Sequence, residues 1–109
     1  MTVGRNTLSF GAVAILHAIA SGSQFGFDIM NATGLTSGTV YPTLDRLEQT
    51  GLLKSHWESD AEAHRDGRPA RRYFRLTAMG AMTLTAALEK HRMLRPVRID
   101  PRLLESSES

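Results

Sequence analysis

The chain contains no cysteine. Disulfides and thiolate metal sites are therefore excluded, and the composition fits a reducing compartment such as the cytoplasm. No apolar run approaches the ~20 residues needed to cross a bilayer, so no membrane partner is expected. The first residues, "MTVGRNTLSFGAVAILHAIAS", place Arg5 ahead of an apolar stretch. His17 interrupts that stretch and its spacing is that of an amphipathic helix, which argues against a secretory signal. Gly-x-Ser-x-Gly, a phosphate-binding loop and a cysteine nucleophile are all missing, and no carboxylate pair is spaced to share a cleft. Nothing therefore points to an enzyme or to a cofactor. "DAEAHRD" sets Asp60, Glu62, His64 and Asp66 at alternate positions. It lacks the glycine and closing glutamate of an EF-hand and follows no zinc spacing, so no metal site is expected.

What is present is enough for one domain: 109 residues, 41% hydrophobic and 22% charged. A domain this small buries a limited fraction of its surface, and oligomerisation would help stabilise it. The net charge of +2 conceals a cluster. Arg65, Arg68, Arg71, Arg72 and Arg75 face a single acid within that span, Asp66. Such a basic cluster predicts a polyanion partner better than the overall charge does.

Leu8, Ala12, Ile15, Leu16 and Ile19 recur at helical spacing and predict a first helix over about 8–20, broken by "SGS" at 21–23. A short second helix is expected over 25–33, with Ser23 as N-cap and Gly34 as its stop. A third starts near Thr36–Ser37 and runs to Thr50, with Gly51 ending it. The period then changes from 3.6 to 2. "LLKSHWE" (52–58) and "RRYFRLT" (71–77) alternate and read as an antiparallel pair, joined by the polar "SDAEAHRDGRPA" as a long hairpin tip. Thr77 caps a last helix over 78–94, where Ala81, Leu84, Leu88 and His91 follow seam spacing. That helix has no aromatic residue, and the chain's single tryptophan, Trp57, lies in a strand. Residues 1–95 are expected to form the domain and 96–109 a flexible tail. The order helix, helix, helix, strand, strand, helix is that of a mainly α, α+β winged helix-turn-helix.

On a helical wheel Leu44 and Leu47 of the third helix fall within ~40° of Val40, on the core side. Gly38, Thr39, Pro42, Asp45, Arg46 and Gln49 fall on the far side, with Tyr41 at the edge. Small hydroxyl residues at the N-terminal end of a helix can approach a major groove, where the backbone amides and helix dipole favour phosphate. Ser37, Thr39 and Arg46 are the candidate readers of double-stranded DNA. Tyr41 and Pro42 would set how closely the helix sits, with the Tyr41 hydroxyl reaching a phosphate. If the helix begins near Thr39, Pro42 lies in its first turn; if it begins at Ser37, Pro42 is interior, where proline costs ~3 kcal/mol. Asp45 would repel phosphate and is expected to pair with a basic side chain. Arg65 and Arg68 at the hairpin tip are candidates for phosphate or minor-groove contact. Arg71 and Arg72 alternate, so only one faces DNA, and Arg72 is the candidate. Trp57 is expected to pack under the hairpin, and His17 and His91 to be structural.

"FGFDI" (25–29), "TSGTVYPTLDRLEQTGLL" (36–53), "SHWE" (55–58) and "RPARRYFRLTAMG" (68–80) resemble the PadR family of transcriptional regulators, over about Leu8 to Leu94. The resemblance implies a dimeric, cytoplasmic repressor of the small subfamily, whose third helix reads a pseudo-palindromic operator and whose hairpin is the wing. It also implies an interface between the first and last helices. Their apolar stripes, carried by Leu8, Ile15, Leu84 and Leu88, exceed what one small domain needs internally. Some small relatives hold flat drugs between tryptophans of the last helix, which this chain lacks; no small-molecule effector is identified. The alternative is a winged helix used for protein–protein interaction, a use that ordinarily loses the basic wing and small polar helix face that this chain keeps.

Overall fold

The computed structural model describes residues 8–94, with side chains described as far as Lys90. The expected tail from 96 and the side chain of His91 lie outside the described residues. Helix α1 (Phe10–Ala20) is opened by Ser9, whose hydroxyl accepts from the Ala12 amide at 3.1 Å. It buries Ala12, Ile15, Leu16, Ala18 and Ile19.

Helix α2 (Gly26–Thr33) starts from Phe25, which is extended and gives no side-chain cap. The expectation for Ser23 is thereby corrected. Ser23 belongs to the turn that closes α1, its amide bonding to the Ala18 carbonyl at 2.9 Å. Residues 24 and 25 instead run beside a strand: Phe25 bridges Tyr73, and the Phe74 amide donates to the Gln24 carbonyl at 2.7 Å. Backbone pairing supplies here what a cap supplies elsewhere. Gly34 ends α2 at φ 77, the left-handed conformation that glycine adopts without penalty. The turn is held by Thr33, whose hydroxyl donates to the Ile29 carbonyl at 2.7 Å and accepts from the Leu35 amide at 3.2 Å.

Helix α3 (Ser37–Gln49) buries Val40, Thr43, Leu44 and Leu47 and stops at Thr50–Gly51. Strand β1 (Leu53–Trp57) then pairs antiparallel with β2 (Arg72–Leu76), Leu53 opposite Leu76 and Trp57 opposite Arg72. The connection is not all loop, as the polar composition predicts. It contains a short helix, α4 (Asp60–Arg65), capped by the Ser59 hydroxyl on the Glu62 amide at 3.1 Å and anchored by buried Ala63. Helix α5 (Ala78–Leu94) is capped as expected: Thr77 accepts from the Gly80 amide at 2.9 Å and donates to the Gly51 carbonyl at 2.6 Å.

The core lies where α1, α2, α3 and the hairpin meet. Ile15, Leu16, Ile29, Val40, Leu44 and Leu53 are its most enclosed side chains. Truncating one of them to alanine costs about 2–5 kcal/mol. Trp57 is not part of it, against expectation: the indole is 65% exposed. The register gives the reason. Phe74, opposite Ser55, is the last buried residue of the hairpin's inner face, and Trp57 lies one step beyond it.

Candidate nucleic-acid interface

Ser37, Gly38, Thr39, Tyr41, Pro42, Asp45, Arg46 and Gln49 are all exposed on α3. The helix begins at Ser37, so Pro42 is interior. Its missing N–H would have paired with the carbonyl of Gly38, an exposed residue that water can reach. Outside glycine, no described residue has a positive φ, so the backbone around Pro42 stays in ordinary regions. Thr36, the N-cap, makes no side-chain bond to the helix amides; its hydroxyl instead donates to that of Thr39 at 3.4 Å. The amides of Ser37 and Gly38, two small exposed residues, therefore point out of the helix end.

Tyr41 has a second duty that its edge position conceals. A Cβ built on Gly26 would overlap the Tyr41 phenol. The ring therefore rests on the α2 backbone and sets the distance between the two helices, while the residue as a whole stays 47% exposed.

The arginine cluster divides into two groups. Arg72 contacts α3: its Nη2 pairs with Glu48, its Nη1 lies 3.4 Å from Asp45, and its Nε donates to the Ser55 hydroxyl at 3.1 Å. Ser55 in turn donates to Glu48 at 2.8 Å. Asp45 has the basic partner expected of it. Arg68 is bidentate to Glu58 at 2.6 and 2.8 Å and also reaches Asp66 at 3.0 Å. The Glu58 side chain is only 6% exposed and accepts as well from the Arg71 amide at 3.1 Å and the Tyr73 hydroxyl at 3.4 Å. The hydrogen bonds from Arg68 are the main reason its carboxyl is held down to about 2, against the opposing pull of desolvation. The same pairing pushes the Arg68 guanidinium up. Neither Arg68 nor Arg72 is thus a free cation, unlike what their charge alone suggests: each is engaged by carboxylates within the wing or on α3.

Among the described residues, Arg46, Lys54, Arg65, Arg71 and Arg75 have no carboxylate within ion-pair distance. Arg65 keeps the tip position foreseen for it. Arg71 and Arg75 belong to the basic cluster seen in the sequence, whereas Lys54 was not singled out, although strand parity groups them: 71, 73 and 75 share one face with 54 and 56. On that face His56 stacks on Tyr73 at 5.5 Å, Tyr73 meets Phe25 edge-on at 5.7 Å, and Arg71 sits 4.0 Å over the Phe25 ring.

The residues expected at a dimer seam are also divided. Ile15 is 0% and Leu84 5% exposed, so both serve this chain's own core, and their seam role is corrected. Leu8 is half-buried against the same core. Leu88 is exposed, with Phe10, Met79 and Met82.

Three packed helices, a three-residue turn between α2 and α3, and a hairpin clasped to α3 define a winged helix-turn-helix DNA-binding transcriptional regulator. Residues 15–86 match the Transcriptional regulator PadR-like family, and the chain belongs to it. A PadR family transcription regulator from hypervirulent Clostridium difficile R20291 superimposes with a TM-score of 0.72 at 22% identity, over 82% of this chain and 94% of that one. A PadR-like transcription factor from Bacteroides fragilis gives 0.67 at 23%, over 79% and 84%. The adhesin competence repressor of Streptococcus pyogenes gives 0.68 at 17%, over 96% and 72%. At these identities the likeness is one of fold. No curated protein matches the sequence. No helix among the described residues is long and apolar enough to cross a membrane.

Proposed function

We propose that the chain is a cytoplasmic, homodimeric repressor whose α3 reads the major groove of a pseudo-palindromic operator, without catalytic activity or a cofactor. The observation that carries this reading is the exposed N-terminal face of α3. Ser37, Gly38 and Thr39 present small groups, the amides of Ser37 and Gly38 have no cap, and Arg46, without a carboxylate partner, lies further along the side of Thr39. Ser37, Thr39 and Arg46 are the reading residues. Tyr41 and Pro42 set the approach, and Arg65 grips phosphate from the wing tip. Arg68 and Arg72 are positioning residues that hold the wing. The exposed apolar residues Phe10, Met79, Met82 and Leu88, together with the small domain's limited core, support a second copy against α1 and α5.

A footprint on the DNA flanking the chain's own gene locates the operator, and titrations at several salt concentrations follow. Ser37→Ala and Thr39→Ala should each relax preference at a position in the half-site. Arg46→Ala should lower specific affinity by ~1–3 kcal/mol if it reads guanine. If all three keep wild-type operator preference in a folded protein, α3 is not the reader, and the protein-interaction alternative takes its place.

A further inference from the structure

The two faces of the β1–β2 hairpin handle charge differently. On the inner face Arg72 is matched by Glu48 and Asp45. On the outer face Lys54 stands directly opposite Arg75, both exposed. Like charges opposite one another on a sheet repel. Among the described residues neither has a carboxylate partner to relieve it. Arg71 follows along the same face, and Arg65 joins from α4. Arg65, Arg71 and Arg75 line one open groove of about 760 Å³ with His56 and Tyr73. Of the carboxylates lining that groove, Glu58 and Asp66 are already paired with Arg68, which leaves Glu62 against three arginines that have no carboxylate partner.

We propose that this outer face binds the phosphate backbone of duplex DNA flanking the operator. The proposal rests on the DNA-binding reading above and extends it: α3 reads, the tip grips, and the outer face holds the duplex as it continues past the wing. Spacing argues for a polymer over a small anion. At ~3.3 Å per residue, Arg71, just ahead of β2, and Arg75 within it are attached ~13 Å apart along the chain. One phosphate cannot satisfy both, whereas a run of phosphates can.

The test compares wild type with the double variant Lys54→Ala/Arg75→Ala on two duplexes. One is the shortest that keeps operator preference; the other is the same sequence lengthened by about one helical turn at each end. Anisotropy titrations span 50–200 mM salt. Two phosphate contacts contribute ~−1.8 to the slope of log affinity against log salt. On the long duplex the wild type should therefore lose roughly twelvefold more affinity across that range than the variant. On the short duplex the two slopes should agree. The variant's melting temperature checks folding, and Lys54→Arg/Arg75→Lys should restore the wild-type slope. Equal slopes on the long duplex overturn the proposal and leave the pair as charges that blunt the exposed edge of β1. A slope loss of equal size on both duplexes overturns it too, as does displacement of both duplexes alike by micromolar inorganic pyrophosphate. A wild type that binds neither duplex defeats the DNA reading itself, an outcome separable from all of these.

Discussion

Replacing Arg72 with alanine removes the clasp between the wing and α3. The side chains involved are partly exposed, Arg72 by 32%, Glu48 by 31% and Asp45 by 58%. Ion pairs of that exposure are worth about 0.2–1 kcal/mol, and the lost bond to Ser55 adds about 1 kcal/mol or less. Stability should fall by about 1 kcal/mol, which lowers the melting temperature of a domain this size by roughly 4–8 °C. Duplex affinity should fall as well, but through Glu48 and Asp45. Without Arg72, two carboxylates stand uncompensated on the helix proposed to approach phosphate. Glu48→Gln in the Arg72→Ala background should therefore recover part of both losses. A double-mutant cycle read by thermal melting and by anisotropy should give a coupling of about 0.5 kcal/mol or more. Effects that add within about 0.3 kcal/mol in both assays would refute the clasp and return Arg72 to the list of phosphate contacts.

The Glu58 clasp makes a pH prediction. Its folded pKa is depressed to about 2 from 4.5, so its stabilisation is fully present above pH 4.5 and is lost as pH falls toward 2. Limited proteolysis of the segment around α4 should be flat from pH 7 to 5 and accelerate below; acceleration already between 7 and 5 contradicts the assignment. Gly26→Ala should destabilise by about 1–3 kcal/mol by driving a methyl into the Tyr41 phenol, and adding Tyr41→Ala should remove the clash. No rescue in the melting temperature would mean that the helix spacing is set elsewhere. Leu88→Asp should dissociate the proposed dimer, as read by sedimentation, and weaken operator binding through loss of the second half-site. A wild type that is monomeric at micromolar concentration rules out that interface.

Periodicity made most of the fold legible. The switch from a 3.6 to a 2 period fell at Gly51, and the stops at Gly34 and Gly51 are both positive-φ glycines. The helix α4 escaped because six residues are too short for a period. Its signal was Ser59, a cap three residues ahead of Glu62. The start of α2 was read within a residue, but its cap was not, because Phe25 there is held by Tyr73, far along the chain. The exposed face was legible on α3, where one wheel separates Val40 and Leu44 from Thr39 and Arg46. On the wing the candidate site was less legible, because charge can be counted in a sequence but pairing cannot. Arg68 and Glu58 are ten residues apart, and Arg72 and Glu48 twenty-four. Only the tertiary fold tells which arginines are matched. The packing of Tyr41 was not legible for a related reason: the space it fills is left by a glycine on another helix.

The two clasps also bear on the entropy of association. A wing that hangs free must be ordered when a partner arrives, and each long side chain immobilised at that moment subtracts about 0.5–1.5 kcal/mol from affinity. Here Arg68 closes the wing on itself through Glu58, and Arg72 fastens it to α3 through Glu48. That ordering is completed when the chain folds, before any duplex is met. Two arginines turned toward carboxylates can thus raise affinity without touching nucleic acid, by leaving the encounter less disorder to remove.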